Sequence, residues 1–596
     1  MVGDAGCHFV PGNRKSTEGR DAAGEAAVRG TSAEARKLQI YVDISTLNIK
    51  LSFQEETSRP GGNVSPNCDV IVVGAGFAGL YSLYRLRAEG YSIRVFEAGD
   101  GVGGTWYWNR YPGARCDIES LQYSYSFSEE VQQEWEWSEL YAGQPEILAY
   151  INHVADRFDL KRDITFNSRV VSADFIDDRH VWRVETDAGE VVEARFVVMA
   201  TGNLSIPISP DLPGLETFGG EVYASHNWPK DKVNFSGRSV ALFGTGASGV
   251  QITPLVAADA KHLTVFQRTP NYSIPLQNKP MDPDYQADWK ANYRARRQEA
   301  LKTRNNALMH HTGNLGADLD IKDLNAVFED RWSIGGITFV YGFADTAISP
   351  HVNEAASEFV RTKIRSKVND TQVAEKLLPN DHPLGSKRLC ADTRYYEAFN
   401  RENVTLVDLR QDQLETIEKN GIRTSSGFHP VDTIVLATGF DAMTGALRRI
   451  NPRGRGGIWL CDKWGEDPRT LLGTAIAGFP NLFVITGPGS PSVFSNFVTS
   501  IEQNVDWIAD CLRYLKTHEI VEIEAEATAE AEWFEHVNAV AARTLLPNAR
   551  SWYVGANISG KPRYFMAYLG GVPAYRQALD RCASEGYRGF KLTSGK

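Results

Sequence analysis

Two rhythms of apolar positions, one of period two and one helical, alternate along most of this chain. Residues 69–73 (Asp-Val-Ile-Val-Val) form a short β-branched run, the pattern of a strand buried on both faces of a parallel sheet. Gly74, Gly76 and Gly79 follow at once, and Leu80, Leu83, Tyr84 and Leu86 then recur at helical spacing. Residues 92–96 read as a second strand, ended by Glu97. The same order returns at 239–243, with Gly244, Gly246 and Gly249 and a matching strand over 263–266. Two more apolar strands, within 196–202 and 432–439, each end in Ala-Thr-Gly. Residues from about 275 to 383 are rich in Arg, Ala, Asn and Glu at helical spacing, as at 287–301 and 354–368, and predict a helical insertion over the site. Strand, glycine turn, helix and second strand, given twice, predict an α/β fold with two Rossmann-like dinucleotide-binding domains.

Residues 1–65 differ in character. They are rich in Gly, Ala, Ser and charge up to about Lys37. Leu38, Ile40, Val42 and Ile44 then alternate, as do Leu47, Ile49, Leu51 and Phe53, which suits a strand or hairpin, but the phase slips at Ser45–Thr46. The segment is expected to be a poorly ordered extension. No charged stretch followed by an apolar one opens it, so no signal peptide is expected.

Chemistry follows from how the two turns end. In such a turn one glycine allows the tight bend, one lets the backbone approach a pyrophosphate, and one lets helix pack on strand. The pyrophosphate then lies on the helix N-terminus, where free N–H groups and the helix dipole favour an anion. Glu97 stands 18 positions after Gly79, the right distance for a carboxylate that accepts from both ribose hydroxyls. The second site ends in Gln267-Arg268-Thr269 instead. A guanidinium suits a ribose 2′-phosphate that a carboxylate would repel, so this site is expected to prefer NADPH to NADH. An acid-ended turn first and an arginine-ended turn second suggest FAD and NADPH on one chain.

Composition narrows the partners. Of 596 residues, 63 Lys and Arg against 74 Asp and Glu give a net charge of −11, which argues against nucleic acid or an anionic membrane. The seven cysteines are scattered without a CxxC pair, so neither a zinc site nor a redox disulfide is indicated, and free thiols suggest the cytoplasm. No apolar run reaches 18 residues, so no membrane span is expected. A serine hydrolase is disfavoured, since no GxSxG is present.

The most telling run is GGTWYWNRYPGARCD at 103–117. With Gly103-Gly104-x-Trp106-x4-Tyr111-Pro112-Gly113-x3-Asp117 it resembles one signature of the Baeyer–Villiger monooxygenases, in the branch that holds phenylacetone and steroid monooxygenases. The resemblance covers roughly residues 66–593 and includes RYPGARCDIES (110–120), FQRTP (266–270), GSKR (385–388), GPGSPS (487–492) and SWYVGAN (551–557). The family's other fingerprint, Phe-x-Gly-x3-His-x3-Trp-Pro, is matched by Phe218, Gly220, Trp228 and Pro229 but has Ala224 at the histidine position. His226 lies two residues later and reads as an exposed polar residue; the loss puts coupling between the domains in doubt more than reaction type.

The resemblance implies a flavoprotein that inserts one oxygen of O2 beside a ketone carbonyl, through a C4a-peroxyflavin held by Arg388. It also implies that the Ala-Thr-Gly strands carry the chain between domains. Residues 66–204 and 442–596 would then hold FAD, and 205–441 NADPH. Anionic peroxide and tetrahedral adduct both need a fixed cation, and an arginine cannot quench the peroxide by losing its proton. Asp117 matches the carboxylate that aims that arginine and touches the nicotinamide side. Around FAD the implied residues are Gly74, Gly76, Phe77, Gly79, Glu97, Gly104, Thr105, Trp106, Trp108, Asp117, Tyr123, Val170 and Phe497. Around NADPH they are Arg115, Cys116, Asp117, Gly244, Thr245, Gly246, Ala247, Ser248, Gly249, Arg268, Thr269, Lys387, Arg388 and Trp552. Lys387 would join Arg268 and Thr269 at the 2′-phosphate, and Trp552 would pack on the nicotinamide half. Residues 487–497 cannot begin as regular helix, and Ser492, Val493 and Phe494 are expected to tune ketone size. The expected partners are O2 and a small ketone, bulky and cyclic or terpenoid, from secondary metabolism. A monomer or weak homo-oligomer is expected, without metal. The alternatives are a flavin-containing or N-hydroxylating monooxygenase, and an NADPH oxidase that releases peroxide. A disulfide reductase would need the missing cysteine pair.

Overall fold

The computed structural model describes residues 66–596, except 466, 559, 562 and 596, together with the backbone at 38–43 and 48–53. Leu38–Asp43 and Asn48–Phe53 pair as an antiparallel hairpin, Leu38 opposite Phe53 and Asp43 opposite Asn48. The alternating runs expected within a poorly ordered extension are therefore strands. The phase slip and the rest of 1–65 lie outside the described residues.

Two sheets form the core of the remaining chain. In the first, Ile164–Thr165, Ile93–Phe96, Cys68–Val73 and Val191–Met199 lie side by side and parallel. Val181–Thr186 and Val170–Ile176 extend it antiparallel. Leu482–Val484 returns to pair in parallel with Val191–Met199, so the first sheet is completed from far along the chain. Val70, Ile71 and Val72 show no exposure, which explains why the central strand is apolar on both faces. The second sheet has five parallel strands in the order Val404–Asp408, His262–Gln267, Ser239–Phe243, Thr433–Leu436 and Glu221–Ala224.

The chain passes between the sheets twice, after Met199 and after Leu436, and the two crossings bind each other. Ile208 donates its N–H to Gly439 at 3.0 Å, Asp441 to Ile206 at 2.8 Å and Met443 to Asn203 at 2.9 Å. Helices Pro283–Ala300, Ile321–Ile334, Pro350–Lys367 and Thr371–Lys376 fill most of 283–376. The first of them grips the segment that carries Tyr123, because Arg297 donates to the carbonyls of Leu121, Gln122 and Ser124. Among the described residues no helix is long and apolar enough to cross a membrane.

Candidate active site

Helices Phe77–Ala88 and Ala247–Asp259 both begin after a glycine, Gly76 and Gly246, with no side-chain cap. Their first N–H groups are therefore left for an anion. Glycine is required at Gly79 by packing, since a Cβ there would lie 1.8 Å from the Gly74 carbonyl oxygen; Gly249 stands in the same relation to Gly244, at 2.0 Å. At Gly246 a Cβ would meet nothing within 4 Å. No protein neighbour accounts for the missing side chain, which fits a turn shaped to receive a diphosphate. Thr245 ties this turn to the end of the neighbouring strand, donating to the Thr269 carbonyl at 2.8 Å. Ala247 and Ser248 open the helix.

On the first side Glu97 is 5% exposed and holds the turn together, accepting from the N–H of Ala75 at 2.7 Å and of Gly99 at 2.8 Å. Burial pushes its pKa up and these two N–H bonds pull it back. Each oxygen keeps a lone pair, which suits ribose hydroxyls. Gly104, at φ +52°, backs onto Gly76, where a Cβ would come within 3.0 Å of the Gly76 Cα. Thr105 is exposed and Trp108 half-buried on the short helix Thr105–Trp108. Trp106 is buried and donates from Nε1 to the Tyr123 hydroxyl at 3.2 Å, while Phe77 meets Tyr123 edge-on at 5.5 Å. Phe497 is half-buried and starts helix Phe497–Thr517. The Val170 side chain turns into the core with Ile71 and Phe96 and leaves only backbone for any ligand.

The run 103–117 spans both sides. Tyr111 donates to Gln251 Oε1 at 2.9 Å, and Gln251 Nε2 donates to the Arg115 carbonyl at 3.1 Å, so the run is bolted to helix Ala247–Asp259. The Arg115 guanidinium pairs with Glu139 and donates to the Tyr141 carbonyl. The Cys116 thiol is buried, and burial pushes its pKa well up, so it stays protonated. At the end of the run Asp117 meets Arg388. Nε donates to Oδ2 at 3.0 Å, and Nη2 reaches Oδ1 at 2.8 Å and Oδ2 at 2.7 Å. Nη1 donates to the Val493 carbonyl at 2.8 Å and keeps a second N–H for another acceptor. Burial works against the Arg388 charge, but Asp117, with Tyr553 and Tyr341, more than offsets it and holds the pKa above its ordinary value. Asp117 is thus a partner of the arginine, and it caps no helix among the described residues.

A second cationic cluster lies at the end of the second sheet. Lys387 is half-buried, 3.9 Å from Asp381. Burial lowers its pKa, Asp381 raises it, and Arg268 and Arg410 lower it further. Arg268 is exposed and makes no ion pair or side-chain hydrogen bond among the described residues. Arg410 carries no motif and escapes sequence reasoning; it follows Val404–Asp408, the strand beside His262–Gln267, and is locked by Asp408 at 2.8–2.9 Å. Three cations and two carboxylates beside a nucleotide turn leave net positive charge, which fits a phosphate. Tyr341 and Tyr553, beside Arg388, were likewise outside any sequence expectation, although Tyr553 adjoins Trp552.

Two expectations fail. Ser492 has no exposure and lines nothing: it sits at φ +47°, where the turn points its side chain inward. Its Oγ accepts from Asn203 Nδ2 at 2.5 Å and donates to Met443 Sδ at 3.3 Å. Val493 and Phe494 remain half-exposed. His226 is not an exposed polar residue but half-buried, its ring edge-on to Phe440 at 6.4 Å, and burial lowers its pKa. Ala224, in place of the fingerprint histidine, lies opposite Leu436 in the second sheet.

The chain is similar to known proteins over most of its length. The family model described as pyridine nucleotide-disulphide oxidoreductase matches residues 71–324. A phenazine N-monooxygenase of Lysobacter antibioticus is 39% identical over 89% of this chain and 98% of its own. The structure of an oxidized steroid monooxygenase bound to NADP superposes with a TM-score of 0.85 at 48% identity, covering 89% of this chain and 100% of that one. A protein of Pseudooceanicola batsensis named as a Baeyer–Villiger monooxygenase is 39% identical over 90% of this chain and 98% of its own. With likeness of this order over nearly the whole length of its relatives, the chain belongs to the Baeyer–Villiger monooxygenase family.

Proposed function

We propose that the chain binds FAD at its first glycine turn and NADPH at its second, and inserts one atom of dioxygen beside a ketone carbonyl to give an ester or lactone. Residues 66–204 and 442–596 form the FAD part, which accords with a first sheet that draws strands from both. Residues 205–441 form the NADPH part. The observation that carries the reading is Arg388, paired with Asp117 and held by the Val493 carbonyl where the 103–117 run meets the 385–388 and 492–497 loops. The bound cofactors supply the hydride and the activated oxygen, and the whole exchange converts NADPH, H+, O2 and ketone into NADP+, water and ester. Arg388 donates to the negative oxygen that develops as the carbonyl is attacked, and it cannot neutralise that oxygen by giving up its proton. Asp117 keeps the guanidinium aimed. Trp106, Tyr123 and Phe77 exclude water from the flavin face. Arg268, Lys387 and Thr269 bind the 2′-phosphate, and Trp552 covers the nicotinamide half.

A bulky cyclic ketone is the best-supported substrate, because the 48%-identical relative is named a steroid monooxygenase. The phenazine N-monooxygenase relative favours a second reading, oxygen transfer to a heteroaromatic nitrogen. Purified FAD-loaded protein is offered NADPH, isotope-labelled dioxygen and a panel of aryl, cyclic and polycyclic ketones and phenazines. A labelled ester is expected from a ketone and confirms the reading. N-oxide alone supports the second reading, and NADPH consumption that yields only peroxide overturns both.

A further inference from the structure

One ion pair, with its lysine buried and its acid partly exposed, has no part in the chemistry above. Lys561 keeps 7% side-chain exposure, and its Nζ donates to Asp441 Oδ1 at 2.6 Å and to the Ala442 carbonyl at 3.2 Å. Burial lowers the lysine's pKa and Asp441 draws it back up. Asp441 and Ala442 belong to the second crossing between the sheets. Four residues before Lys561, Asn557 Nδ2 donates to the Phe440 carbonyl at 3.0 Å in the same crossing. The segment that holds Asn557 and Lys561 begins with Trp552. The Trp552 ring and Leu204 pack against Ala442, Met443, Tyr564 and Met566.

The pair contributes little net stability, because desolvation of the lysine cancels much of its attraction to Asp441, whose side chain keeps 27% exposure. What it supplies is a fixed geometry between two segments. The crossing it grips is also the one whose Met443 accepts from Ser492, the neighbour of the Val493 carbonyl that holds Arg388. The same crossing touches both the Trp552 loop and the loop whose Val493 carbonyl holds Arg388.

We propose that Lys561 is a positioning residue that fastens the Trp552 loop to the crossing at 440–442, and so sets how tightly NADP+ is held. The proposal rests on the reading that Trp552 covers the nicotinamide half.

The test uses FAD-loaded full-length protein and NADP+ titrated against flavin absorbance. The variants are Lys561→Met, Lys561→Arg, the double variant Asp441→Leu with Lys561→Met, and Trp552→Ala. Lys561→Met is expected to raise the NADP+ dissociation constant about tenfold, to lower ester formed per NADPH, and to leave FAD content unchanged. Lys561→Arg restores part of the affinity. The double variant removes both ions and regains the melting temperature, yet keeps the weakened NADP+ binding. If NADP+ affinity instead returns with the melting temperature in the double variant, Lys561 is structural and the proposal is overturned. If Trp552→Ala weakens NADP+ while every Lys561 variant binds it as the parent does, this proposal alone fails. If Trp552→Ala binds NADP+ unchanged, the reading of Trp552 fails and takes the proposal with it.

Discussion

Gly113 lies so close to Gln251 that a Cβ on the glycine would come within 2.6 Å of the Gln251 carbonyl oxygen. The first residue belongs to the aromatic run beside the first nucleotide turn, and the second to the helix that opens the other. Gly113 also sits at φ +83°, where a side chain is strained. Gly113→Ala is therefore expected to destabilise the protein by about 2 kcal/mol, from strain and forced separation together. It should also weaken NADP+ binding while FAD stays bound. Thermal melting with and without NADP+ checks this, and a variant that melts and binds like the parent would show that the contact is dispensable.

Asp117→Asn keeps the shape of the acid but removes its charge. Arg388 then donates to a neutral amide oxygen, and the guanidinium loses a charge-assisted pair that typically contributes about 2 kcal/mol. The ester-forming rate is expected to fall about thirtyfold, with FAD content unchanged. Arg388→Met should cost more, about 3 kcal/mol of transition-state stabilisation or over a hundredfold. Single-turnover ester yields measure both, and a reversed order would place the essential group on the acid.

Strands at 69–73 and 239–243, their glycine turns and the paired second strands were all legible, because a buried parallel strand is apolar on both faces and a diphosphate turn tolerates only glycine. Arg388 and Asp117 were legible only through a family signature: nothing in local spacing brings together residues 271 positions apart. Arg410 stayed hidden because its place depends on which strand lies beside His262–Gln267, a fact of sheet order that no motif encodes. Ser492 was misplaced for a related reason. A left-handed turn reversed the side expected of it, and a serine is small enough to be buried once Asn203 meets its hydroxyl. The runs at 38–43 and 48–53 alternate and pair as strands, while the slip in phase that obscures them in the sequence falls between the two.

The cluster of Arg268, Lys387 and Arg410 makes a separable prediction about cofactor choice. Each cation sits near the proposed 2′-phosphate site, where that group would bring about two negative charges, so neutralising any one should weaken NADPH several-fold and leave NADH unchanged. Arg268→Ala should have the largest effect, about tenfold, because its guanidinium is unpaired, whereas Arg410 is already engaged by Asp408. The loss should shrink as salt rises, since the site is partly exposed. Dissociation constants for NADP+ and NAD+ at low and high salt test it; equal losses for both cofactors would mean that these cations hold no 2′-phosphate.

Glu502 gives the fold a pH dependence whose sign can be fixed. The residue is 6% exposed on helix Phe497–Thr517 and accepts from the Ser126 N–H at 2.6 Å and the Ser126 hydroxyl at 2.7 Å. Burial raises its pKa from 4.5 to about 7; the two Ser126 bonds and Arg297 oppose the rise, and Asp506 adds to it. The native state thus holds this proton more tightly than the unfolded chain does. The stability it contributes is fully present below about pH 4.5 and lost as pH rises through about 7. The gap corresponds to about 3 kcal/mol. Glu502→Gln keeps both partners, since its carbonyl accepts from the Ser126 N–H and its amide donates to the Ser126 oxygen, but it never ionises. The variant should match the parent near pH 5 and exceed it near pH 8 in denaturant titrations. Parallel curves for parent and variant across that window would assign the pH dependence to other groups. A gain at pH 8 would show that the segment carrying Tyr123 is held against helix Phe497–Thr517 at the cost of a buried charge.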